Sequence, residues 1–403
     1  MPHIIVIGAG QAGASLTAKL RGLGYQGDIT LIGQETVPPY QRPPLSKAYL
    51  LGAMDRERLF LRPEEFYQNQ NITLRLNTTV KAIDPNAKTV SFGGDALNYD
   101  QLALTTGSTP HHLPATIGGT LKGVHVVRTL SDIDAMQPEF AAGRNALIVG
   151  GGYIGLEAAA VAAKQGLNVT LVEMADRILQ RVSAPETSDY FRDLHTSHGV
   201  KILEGVGLDH LIGTKSVNSA KLTNDTIIPV DFVITGIGIA PATVLAEAAN
   251  LTLENGIKTD AQGRTSDPNI WSAGDCASFP YRDSRIRLES VPNAIEQAEV
   301  VAENMLGAVK DYVAKPWFWS DQYDVKLQIA GLNTGYDSVV RRKGEKPGAQ
   351  SHWYYAGGTL LAVDAMNDPR AYMIGKRLIE AGKSPAADLI KNPETDLKAL
   401  LKA

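Results

Sequence analysis

Short β-branched runs alternate with stretches of helical periodicity along most of the chain. This alternation predicts an α/β fold, in which a parallel sheet is covered by helices on both faces. Each run ends where a Gly-rich or acidic turn begins, at the strand end where α/β proteins bind ligands. The clearest runs are Ile4–Ile7, Ile29–Ile32, Ala146–Val149, Val169–Val172, Phe232–Thr235 and Ile270–Ala273.

Beyond Pro316 the pattern changes to an aromatic cluster, residues 317–319, followed by hairpin-like runs. Alternating short runs joined by turns are typical of antiparallel strands. The runs are Val325–Ile329, Ser338–Arg342, His352–Tyr355 and Thr359–Val363. We therefore predict that residues 317–403 form a C-terminal α+β domain with an antiparallel sheet.

One glycine motif occurs twice. Residues 5–13 read IVIGAGQAG and residues 147–155 read LIVGGGYIG, each between a predicted strand and a predicted helix. In such a turn the first glycine allows the tight bend and the second lets the backbone approach a pyrophosphate. The third lets the helix pack closely, and the pyrophosphate binds the free N–H groups at the helix N-terminus. Two copies, with first glycines 142 residues apart, predict two doubly wound dinucleotide-binding domains.

A carboxylate after the second strand of each unit is expected to bind a ribose. In the second unit this residue is Glu173, 23 residues after Gly150, which is typical of a nicotinamide dinucleotide site. In the first unit the strand leads into Gln34 and Glu35, and both stay candidates.

The choice of nicotinamide follows from the charge at Glu173. Its carboxylate would face the 2′-phosphate of NADPH, and the first cation after it is Arg177. Like charges repel, so we predict that NADH is the electron donor.

Composition and charge exclude several classes of function. The chain has 39 Lys and Arg against 43 Asp and Glu, and a net charge of −4 does not favour nucleic-acid binding. Its one cysteine, Cys276, rules out a redox-active cysteine pair and a thiolate metal cluster, and we expect Cys276 to be a buried packing residue. No targeting signal or membrane span is visible, so we expect a cytoplasmic protein.

Histidines give no metal site in the sequence. His195 and His198 lie three residues apart on a predicted helix, without a carboxylate or cysteine to complete a ligand set. We expect both to lie on a solvated helix face. His111 and His112 lie in a connection flanked by prolines and have no predicted chemical role.

Four motifs, in this order, resemble the two-dinucleotide-domain flavoprotein superfamily that includes glutathione reductase. They are Gly8–Gly13, Thr106-Gly107, Gly150–Gly155 and Gly274-Asp275. Within it, four further segments are similar to the bacterial FAD-dependent ferredoxin reductases, over essentially the whole chain. They are PYQRPPLSK at 39–47, RTL at 128–130, ESVPN at 289–293 and PWFWSDQ at 316–322.

The resemblance implies that NADH passes a hydride to FAD and that single electrons then reach a 2Fe-2S ferredoxin. Such reductases serve haem-thiolate monooxygenases or ring-hydroxylating dioxygenases, and the segment 289–294 favours the monooxygenase type. A reductase of a dioxygenase is one alternative. A flavin-bearing, NADH-responsive interaction protein resembling apoptosis-inducing factor is another. The oligomeric state stays open, and a monomer is compatible with the sequence.

The resemblance also implies a domain division. Residues 1–110 and 241–316 are expected to bind FAD, residues 111–240 to bind NAD, and residues 317–403 to form an interface domain. An acidic ferredoxin is expected to dock on basic groups. The candidates are Arg285, Arg287, Lys326 and the RRK segment at 341–343.

The resemblance places Lys47, Arg128 and Trp319 near the flavin, and we predict that Lys47 pairs with Glu157 beside the reactive flavin atom, so that Lys47, Glu157 and Trp319 are the expected catalytic residues. Trp317 and Phe318 are expected to be core residues, and Arg42 to hold the cofactor phosphates or the loop of Lys47. The residues expected to bind FAD are Gly8, Gly10, Gln11, Ala12, Gly13, Gln34, Glu35, Arg42, Lys47, Val80, Thr106, Gly107, Arg128, Gly274, Asp275, Val291 and Trp319. The residues expected to bind NAD are Gly150, Gly152, Tyr153, Ile154, Gly155, Glu157 and Glu173. No metal ligand is expected.

Overall fold

The computed structural model describes residues 2–402, which form two compact units. The first unit contains the described residues up to Arg42, together with Asp55–Thr109 and Ile239–Pro316. The second contains Pro43–Met54, Pro110–Gly238 and the described residues from Trp317 onward.

Among the helices of the described residues, the first and the fourth follow the two glycine turns. The helices are α1 Gln11–Gly22, α2 Glu64–Asn69, α3 Leu130–Met136, α4 Tyr153–Lys164, α5 Pro185–Ser197, α6 Val244–Ala248, α7 Val291–Met305, α8 Pro369–Glu380 and α9 Ala387–Lys391. Within the same residues, no helix is long and apolar enough to cross a membrane.

The strands are short, as the sequence runs indicate. They are β1 His3–Ile7, β2 Asp28–Ile32, β3 Ile72–Arg75, β4 Ala82–Asp84, β5 Thr89–Phe92, β6 Asp95–Asn98, β7 Gln101–Leu104, β8 Ser108–Pro110, β9 Val124–Val126, β10 Asn145–Val149, β11 Asn168–Glu173, β12 Lys201–Glu204, β13 Leu208–Gly213, β14 Val217–Leu222, β15 Ile227–Pro229, β16 Phe232–Thr235, β17 Ile239–Pro241, β18 Ile257–Lys258, β19 Ile270–Ser272, β20 Ala277–Tyr281, β21 Ser284–Ile286, β22 Trp317–Gln322, β23 Val325–Gly331, β24 Ser338–Lys343, β25 Gln350–Ala356 and β26 Thr359–Met366.

The first unit is built on a parallel sheet with the strand order β3-β2-β1-β7-β19. Both faces of β1 are buried: Ile4 and Val6 belong to one apolar cluster, and Ile5 and Ile7 to another. Burial on both faces explains why this strand is a continuous apolar run rather than an alternating one. Helices α1 and α7 pack together over one face of the sheet.

The second unit repeats this architecture with the strand order β12-β11-β10-β16-β9, again with parallel neighbours. In each sheet the strand that precedes the glycine turn, β1 or β10, lies between the next strand of its unit and a strand from much later in the chain. This is the position where strand order reverses and where dinucleotides bind in doubly wound folds.

Residues after Pro316 form an antiparallel sheet with the order β22-β23-β26-β25-β24, over which helix α8 packs. The predicted α/β fold with a C-terminal antiparallel sheet is thus confirmed. In this C-terminal sheet one strand was not predicted: β22 contains the aromatic cluster at 317–319, whose three consecutive large rings hide the alternation of a strand. The division into FAD, NAD and interface domains stays a prediction.

Candidate functional site

In the first unit, the glycine turn has the geometry that a pyrophosphate needs. Gly8 has a φ of +115°, and a Cβ there would lie 2.2 Å from the carbonyl oxygen of Thr105. A Cβ at Gly13 would lie 2.1 Å from the carbonyl oxygen of Gly8, so both positions require glycine. A Cβ at Gly10, by contrast, would meet nothing within 4 Å. The backbone before α1 is therefore open on the side where first-turn N–H groups lack helical partners.

A second turn meets this helix end within the same unit. Gly274 has a φ of +83°, and a Cβ there would lie 3.0 Å from the Cβ of Ala12. Its N–H donates to Gln297 Oε1 of α7 at 2.9 Å, which holds the turn in place. Asp275 follows, half-buried, and accepts a hydrogen bond from the Ser108 hydroxyl at 2.9 Å.

The residues after β2 differ in their partners. Gln34 is exposed, whereas Glu35 is half-buried and accepts hydrogen bonds from Arg42 at 2.7 Å and from the Tyr40 hydroxyl at 2.6 Å. The Arg42 guanidinium also lies over the Tyr40 ring, 5.0 Å from its centroid. Arg42 is thus fixed by Glu35, and this contact was not predicted.

The remaining first-unit candidates have the following places. Thr106 donates to the Ala242 carbonyl at 2.7 Å, and Gly107 has a φ of +70°. Val80 is buried in the apolar cluster that contains Ile5. Gln11 and Val291 are the first residues of α1 and α7, and Ser290 caps α7 by accepting a hydrogen bond from the N–H of Asn293.

The glycine turn of the second unit repeats the first. Gly150 has a φ of +105°, and a Cβ there would lie 2.4 Å from the carbonyl oxygen of Gly236. A Cβ at Gly155 would lie 2.0 Å from the carbonyl oxygen of Gly150, and one at Gly152 would meet nothing within 4 Å. Tyr153, the first residue of α4, is half-buried, and Ile154 is exposed.

Glu173 ends β11 beside this turn. Its two carboxylate oxygens accept hydrogen bonds from the N–H groups of Gly151, at 2.7 Å, and Ala175, at 2.8 Å. Arg177 is directed elsewhere: it donates to the Ser188 hydroxyl at 2.5 Å and to the Gln180 carbonyl at 3.5 Å. The carboxylate is thus held at the turn, while the nearest following cation is bound to α5.

The predicted pair of Lys47 and Glu157 is present, with a distance of 2.7 Å between Lys47 Nζ and Glu157 Oε2. The Glu157 side chain is only 2% exposed, and that of Lys47 is 18% exposed. Ser46 donates to Glu157 Oε2 at 2.5 Å, and Ser320 donates to Oε1 at 2.6 Å. A buried carboxylate needs such hydrogen-bond partners, and these three donors satisfy both of its oxygens.

Strand β22 presents two different faces because side chains alternate along a strand. Ser320 and Phe318 face α4, where Phe318 packs against Tyr153 with ring centroids 5.0 Å apart. Trp319 lies on the opposite face with Trp317, their ring centroids 5.6 Å apart. The two residues expected to be core, Trp317 and Phe318, are half-buried rather than fully buried.

Arg128, also among the expected FAD residues, lies just before helix α3. Its backbone N–H donates to Asp132 at 3.2 Å, next to the capping box that Thr129 and Asp132 form at the helix start. The side chain is half-buried.

Two expectations about individual residues were wrong. His195 is fully buried, not solvated, because its face of α5 packs on β22, where it binds Gln322; His198 is exposed as expected. Arg342 is buried, not a docking group, since its guanidinium donates to the backbone carbonyls of residues 390, 392, 393 and 395.

The other basic docking candidates divide into two groups. Arg285 donates to two backbone carbonyls, and Arg287 pairs with Glu289, so both are held by local contacts. Lys326, Arg341 and Lys343 are exposed on the C-terminal sheet. Cys276 is fully buried, as predicted.

Sequence reasoning missed the hydroxyls of Ser46 and Ser320 as partners of Glu157. Both lie inside segments that carried the family resemblance, but neither serine has a pattern of its own. No sequence signal marked Ser320, because the rings at 317–319 hide the alternation that would place it on the same strand face as Phe318.

Comparisons with known proteins agree with this geometry. The family described as pyridine nucleotide-disulphide oxidoreductase matches residues 2–298, and the reductase C-terminal family matches residues 317–401. A ferredoxin–NAD(P)(+) reductase from a Sphingomonas species is 42% identical over 94% of this chain and 92% of its own. Putidaredoxin reductase from Pseudomonas putida is 39% identical over 100% of this chain and 97% of its own.

Solved structures give the same result. The covalent complex of putidaredoxin reductase with putidaredoxin matches with a TM-score of 0.96 and 38% identity, over 100% of this chain and 98% of the other. The ferredoxin reductase for the CYP199A2 system of Rhodopseudomonas palustris matches with a TM-score of 0.95 and 36% identity, over 99% of each chain. With the two glycine turns at equivalent places in two sheets of the same order, the chain belongs to the pyridine nucleotide-disulphide oxidoreductase family.

Proposed function

We propose that this chain is a flavoprotein reductase that moves electrons from NADH through FAD to a 2Fe-2S ferredoxin. The observation that carries the proposal is the duplicated glycine turn, open at Gly10 and at Gly152, because electron transfer between two dinucleotides needs two such sites. Relatives named as ferredoxin reductases, which match nearly the whole chain, support the ferredoxin as acceptor.

The residues of the first unit fit FAD. The open backbone at Gly10 accepts a pyrophosphate at the start of α1, and Gly274 brings the Asp275 turn against that helix end. The Asp275 carboxylate, which accepts from Ser108, is a group of the kind that hydrogen-bonds the hydroxyls of a ribityl chain. When bound, FAD supplies the conversion of a two-electron hydride transfer into two one-electron transfers.

The residues of the second unit fit NADH. Glu173 is fixed at the turn through the N–H groups of Gly151 and Ala175, and its remaining lone pairs are available to the ribose hydroxyls. The 2′-phosphate of NADPH would meet this carboxylate, and Arg177 is already bound to Ser188. Both features favour NADH.

Lys47, Glu157 and Trp319 are proposed to act at the flavin: the family resemblance supports Lys47 and Trp319 there, and Glu157 pairs with Lys47. Glu157 holds the Lys47 ammonium at one position, and a fixed cation stabilises negative charge that develops on the cofactor during reduction. The hydroxyls of buried Ser46 and Ser320 hold the Glu157 carboxylate in place, so that it orients the lysine.

Thiol chemistry, which this family also includes, is not supported. The chain has one cysteine, and Cys276 lies fully buried with its thiol 3.5 Å from the Leu104 carbonyl. A disulfide or peroxide mechanism needs an accessible thiolate.

The ferredoxin is proposed to feed a haem-thiolate monooxygenase, because the segment 289–294 resembles the reductases of such systems. The reductase of a ring-hydroxylating dioxygenase is the second candidate, since the reductase component of an anthranilate 1,2-dioxygenase system from Burkholderia cepacia is 36% identical over 98% of this chain. We also propose a cytoplasmic location, which suits a cysteine-poor reductase that depends on NADH.

The test is cofactor content and anaerobic titration. The purified protein is expected to be yellow, with one FAD per chain released by denaturation, and to lose its flavin absorbance with about one equivalent of NADH. A colourless protein that cannot be reconstituted with FAD would contradict the proposal.

A further inference from the structure

A row of buried hydrogen bonds leads from Glu157 toward the surface of the second unit. Ser320 Oγ lies 2.6 Å from Glu157 Oε1, and Gln322 Nε2 lies 3.1 Å from Ser320 Oγ. His195 Nε2 lies 2.8 Å from Gln322 Oε1, and the Tyr323 hydroxyl lies 3.3 Å from His195 Nδ1. Ser320, Gln322 and His195 have no exposed surface, and we refer to these three residues as the Glu157 relay.

Two elements bring the relay together. Ser320 and Gln322 are two residues apart on β22, so they share the strand face that is turned toward α4 and α5. His195 lies in the last turn of α5 and reaches Gln322 from the other side. Beyond it, the ring of exposed His198 stacks on Tyr323 with centroids 3.7 Å apart, and the row ends there.

The carboxylate fixes the direction of every bond in the row. The Glu157 carboxylate accepts a hydrogen bond from the Ser320 hydroxyl, so Ser320 uses its single hydrogen there. Ser320 must then accept from Gln322, which turns the amide oxygen of Gln322 toward His195. His195 must therefore carry its hydrogen on Nε2, and its Nδ1 is left to accept from Tyr323.

The ionisation state of the outer residues agrees with this direction. Burial lowers the pKa of His195 to about 4, so the ring is neutral at physiological pH. Burial also raises the pKa of Tyr323, so its hydroxyl keeps the hydrogen that it donates. Each dipole of the row thus presents its positive end toward Glu157.

We propose that Gln322 and His195 are positioning residues for electron transfer from NADH, which act by aligning Ser320 on Glu157 and so holding the Glu157 carboxylate directed at Lys47. The proposal rests on the proposed function, in which Lys47 acts at the flavin. An amide group in its ordinary form does not transfer protons. Because Gln322 stands in the middle of the Glu157 relay, the relay aligns side chains and does not conduct protons.

Position 322 offers a test because one variant is expected to reverse its hydrogen bond with Ser320 as the pH changes. The titratable groups around it are His195, with His198 and Tyr323 behind it, and Glu157 with Lys47 on the other side. In Gln322→Glu a protonated carboxyl imitates the amide, donating to Ser320 and accepting from His195. Once ionised it accepts from Ser320 and removes the hydrogen bond to Glu157. Gln322→Met has a similar length but no polar atom.

The experiment measures the rate of flavin reduction at saturating NADH between pH 5.5 and 8.5, by rapid mixing of the holoenzyme. Gln322→Met is expected to be about tenfold slower at every pH, since it loses a hydrogen bond that supports a charged acceptor. Gln322→Glu is expected to be near the unmodified rate at low pH and about tenfold slower at high pH. The Kd for NADH is expected to stay unchanged, and Ser338→Ala, an exposed serine of the same sheet, serves as the matched control.

A second readout does not depend on activity. Nitrogen-15 NMR of histidine-labelled holoenzyme is expected to show His195 as the neutral tautomer with hydrogen on Nε2, assigned by its absence in His195→Phe. A tautomer with hydrogen on Nδ1 overturns the proposal, as does a Gln322→Glu rate that is independent of pH or a Gln322→Met rate equal to that of the unmodified enzyme. Should the Gln322 variants fail to fold, the rate of flavin reduction in Ser320→Ala and the tautomer of His195 test the proposal instead. Should NADH fail to reduce the unmodified enzyme, the proposed function fails, and the tautomer still tests the direction of the relay.

Discussion

At the scale of single residues, Glu173 is proposed to discriminate between NADH and NADPH by a negative charge held in a fixed place. Two backbone N–H groups direct its carboxylate at the glycine turn, so the group does not swing away from a bound phosphate without losing both bonds. Placing the 2′-phosphate of NADPH opposite this carboxylate is expected to raise the activation free energy by about 2–3 kcal/mol. That difference corresponds to about 30- to 100-fold in kcat/KM.

We therefore expect the unmodified enzyme to favour NADH over NADPH by about that factor, and Glu173→Ala to narrow the difference. Steady-state kinetics with both donors measures it. Arg177→Met is the control, and because Arg177 is bound to Ser188 it should leave the preference unchanged. Equal kcat/KM for the two donors in the unmodified enzyme would show that this reading of Glu173 is wrong.

A second residue prediction concerns Trp319, which is proposed to act at the flavin. Trp319→Ala is expected to slow electron delivery to a ferredoxin more than hydride transfer from NADH, because an aromatic ring beside the cofactor matters most for the outgoing electron. Rapid mixing separates the two steps. Trp317→Ala removes the neighbouring ring of the same strand face and is the matched control. If ferredoxin reduction by Trp319→Ala is unchanged, the assignment fails.

At the scale of elements, helix α5 is joined to the C-terminal sheet by a buried polar cluster. Thr187 of α5 contacts His352 Nδ1 at 2.7 Å and donates to Asp364 at 2.9 Å, and the Tyr354 hydroxyl also donates to Asp364. Burial raises the pKa of Asp364 to about 6. Folding therefore favours the protonated form of Asp364. The stability that this protonation contributes to the folded state is lost as the pH rises from about 4 to about 6.

Asp364→Asn removes that titration. The melting temperature of Asp364→Asn minus that of the unmodified protein is expected to rise between pH 4.5 and 6.5 and to level off above pH 7. A shift of about two pKa units corresponds to about 3 kcal/mol at most. Thermal melts of both proteins at matched pH values measure it, with Asp337→Asn, an exposed aspartate, as the control. A difference that does not change with pH would contradict the role given to Asp364.

The elements themselves were largely predictable, since parallel strands buried on both faces are continuous apolar runs and glycine turns have a fixed spacing. The runs at 4–7, 146–149 and 232–235 all became strands. Strand β22 was not predicted because aromatic residues occupy both of its faces. The site was predictable only in part: Lys47 and Glu157 pair as expected, but burial of His195 and of Arg342 depends on packing between distant segments. No local sequence pattern distinguishes a buried arginine that donates to four backbone carbonyls, such as Arg342, from an exposed arginine.

At the scale of the whole molecule, the net charge is −4, so the proposed docking of an acidic ferredoxin would depend on local basic groups. Lys326, Arg341 and Lys343 are exposed, whereas Arg285, Arg287 and Arg342 are held by neighbouring groups. We expect the rate of association with the ferredoxin to fall as salt rises, because exposed charges are screened beyond about 8 Å at physiological ionic strength.

Lys343→Gln is expected to make this salt dependence shallower, and Lys164→Gln, at the end of α4, is a charge-matched control that should not. Stopped-flow reduction of the ferredoxin across a series of salt concentrations measures both slopes. A rate that does not depend on salt would rule out docking by charge.

The most direct test of the central claim is steady-state oxidation of NADH by the purified, FAD-loaded protein with and without a 2Fe-2S ferredoxin. We expect slow oxidation of NADH without the ferredoxin. With it, we expect rapid, saturable reduction of the ferredoxin, with two ferredoxin molecules reduced for each NADH consumed. A long-lived complex of the reduced protein with NAD⁺ that does not pass electrons to any 2Fe-2S ferredoxin tested would contradict it. That result would instead indicate an NADH-responsive interaction protein.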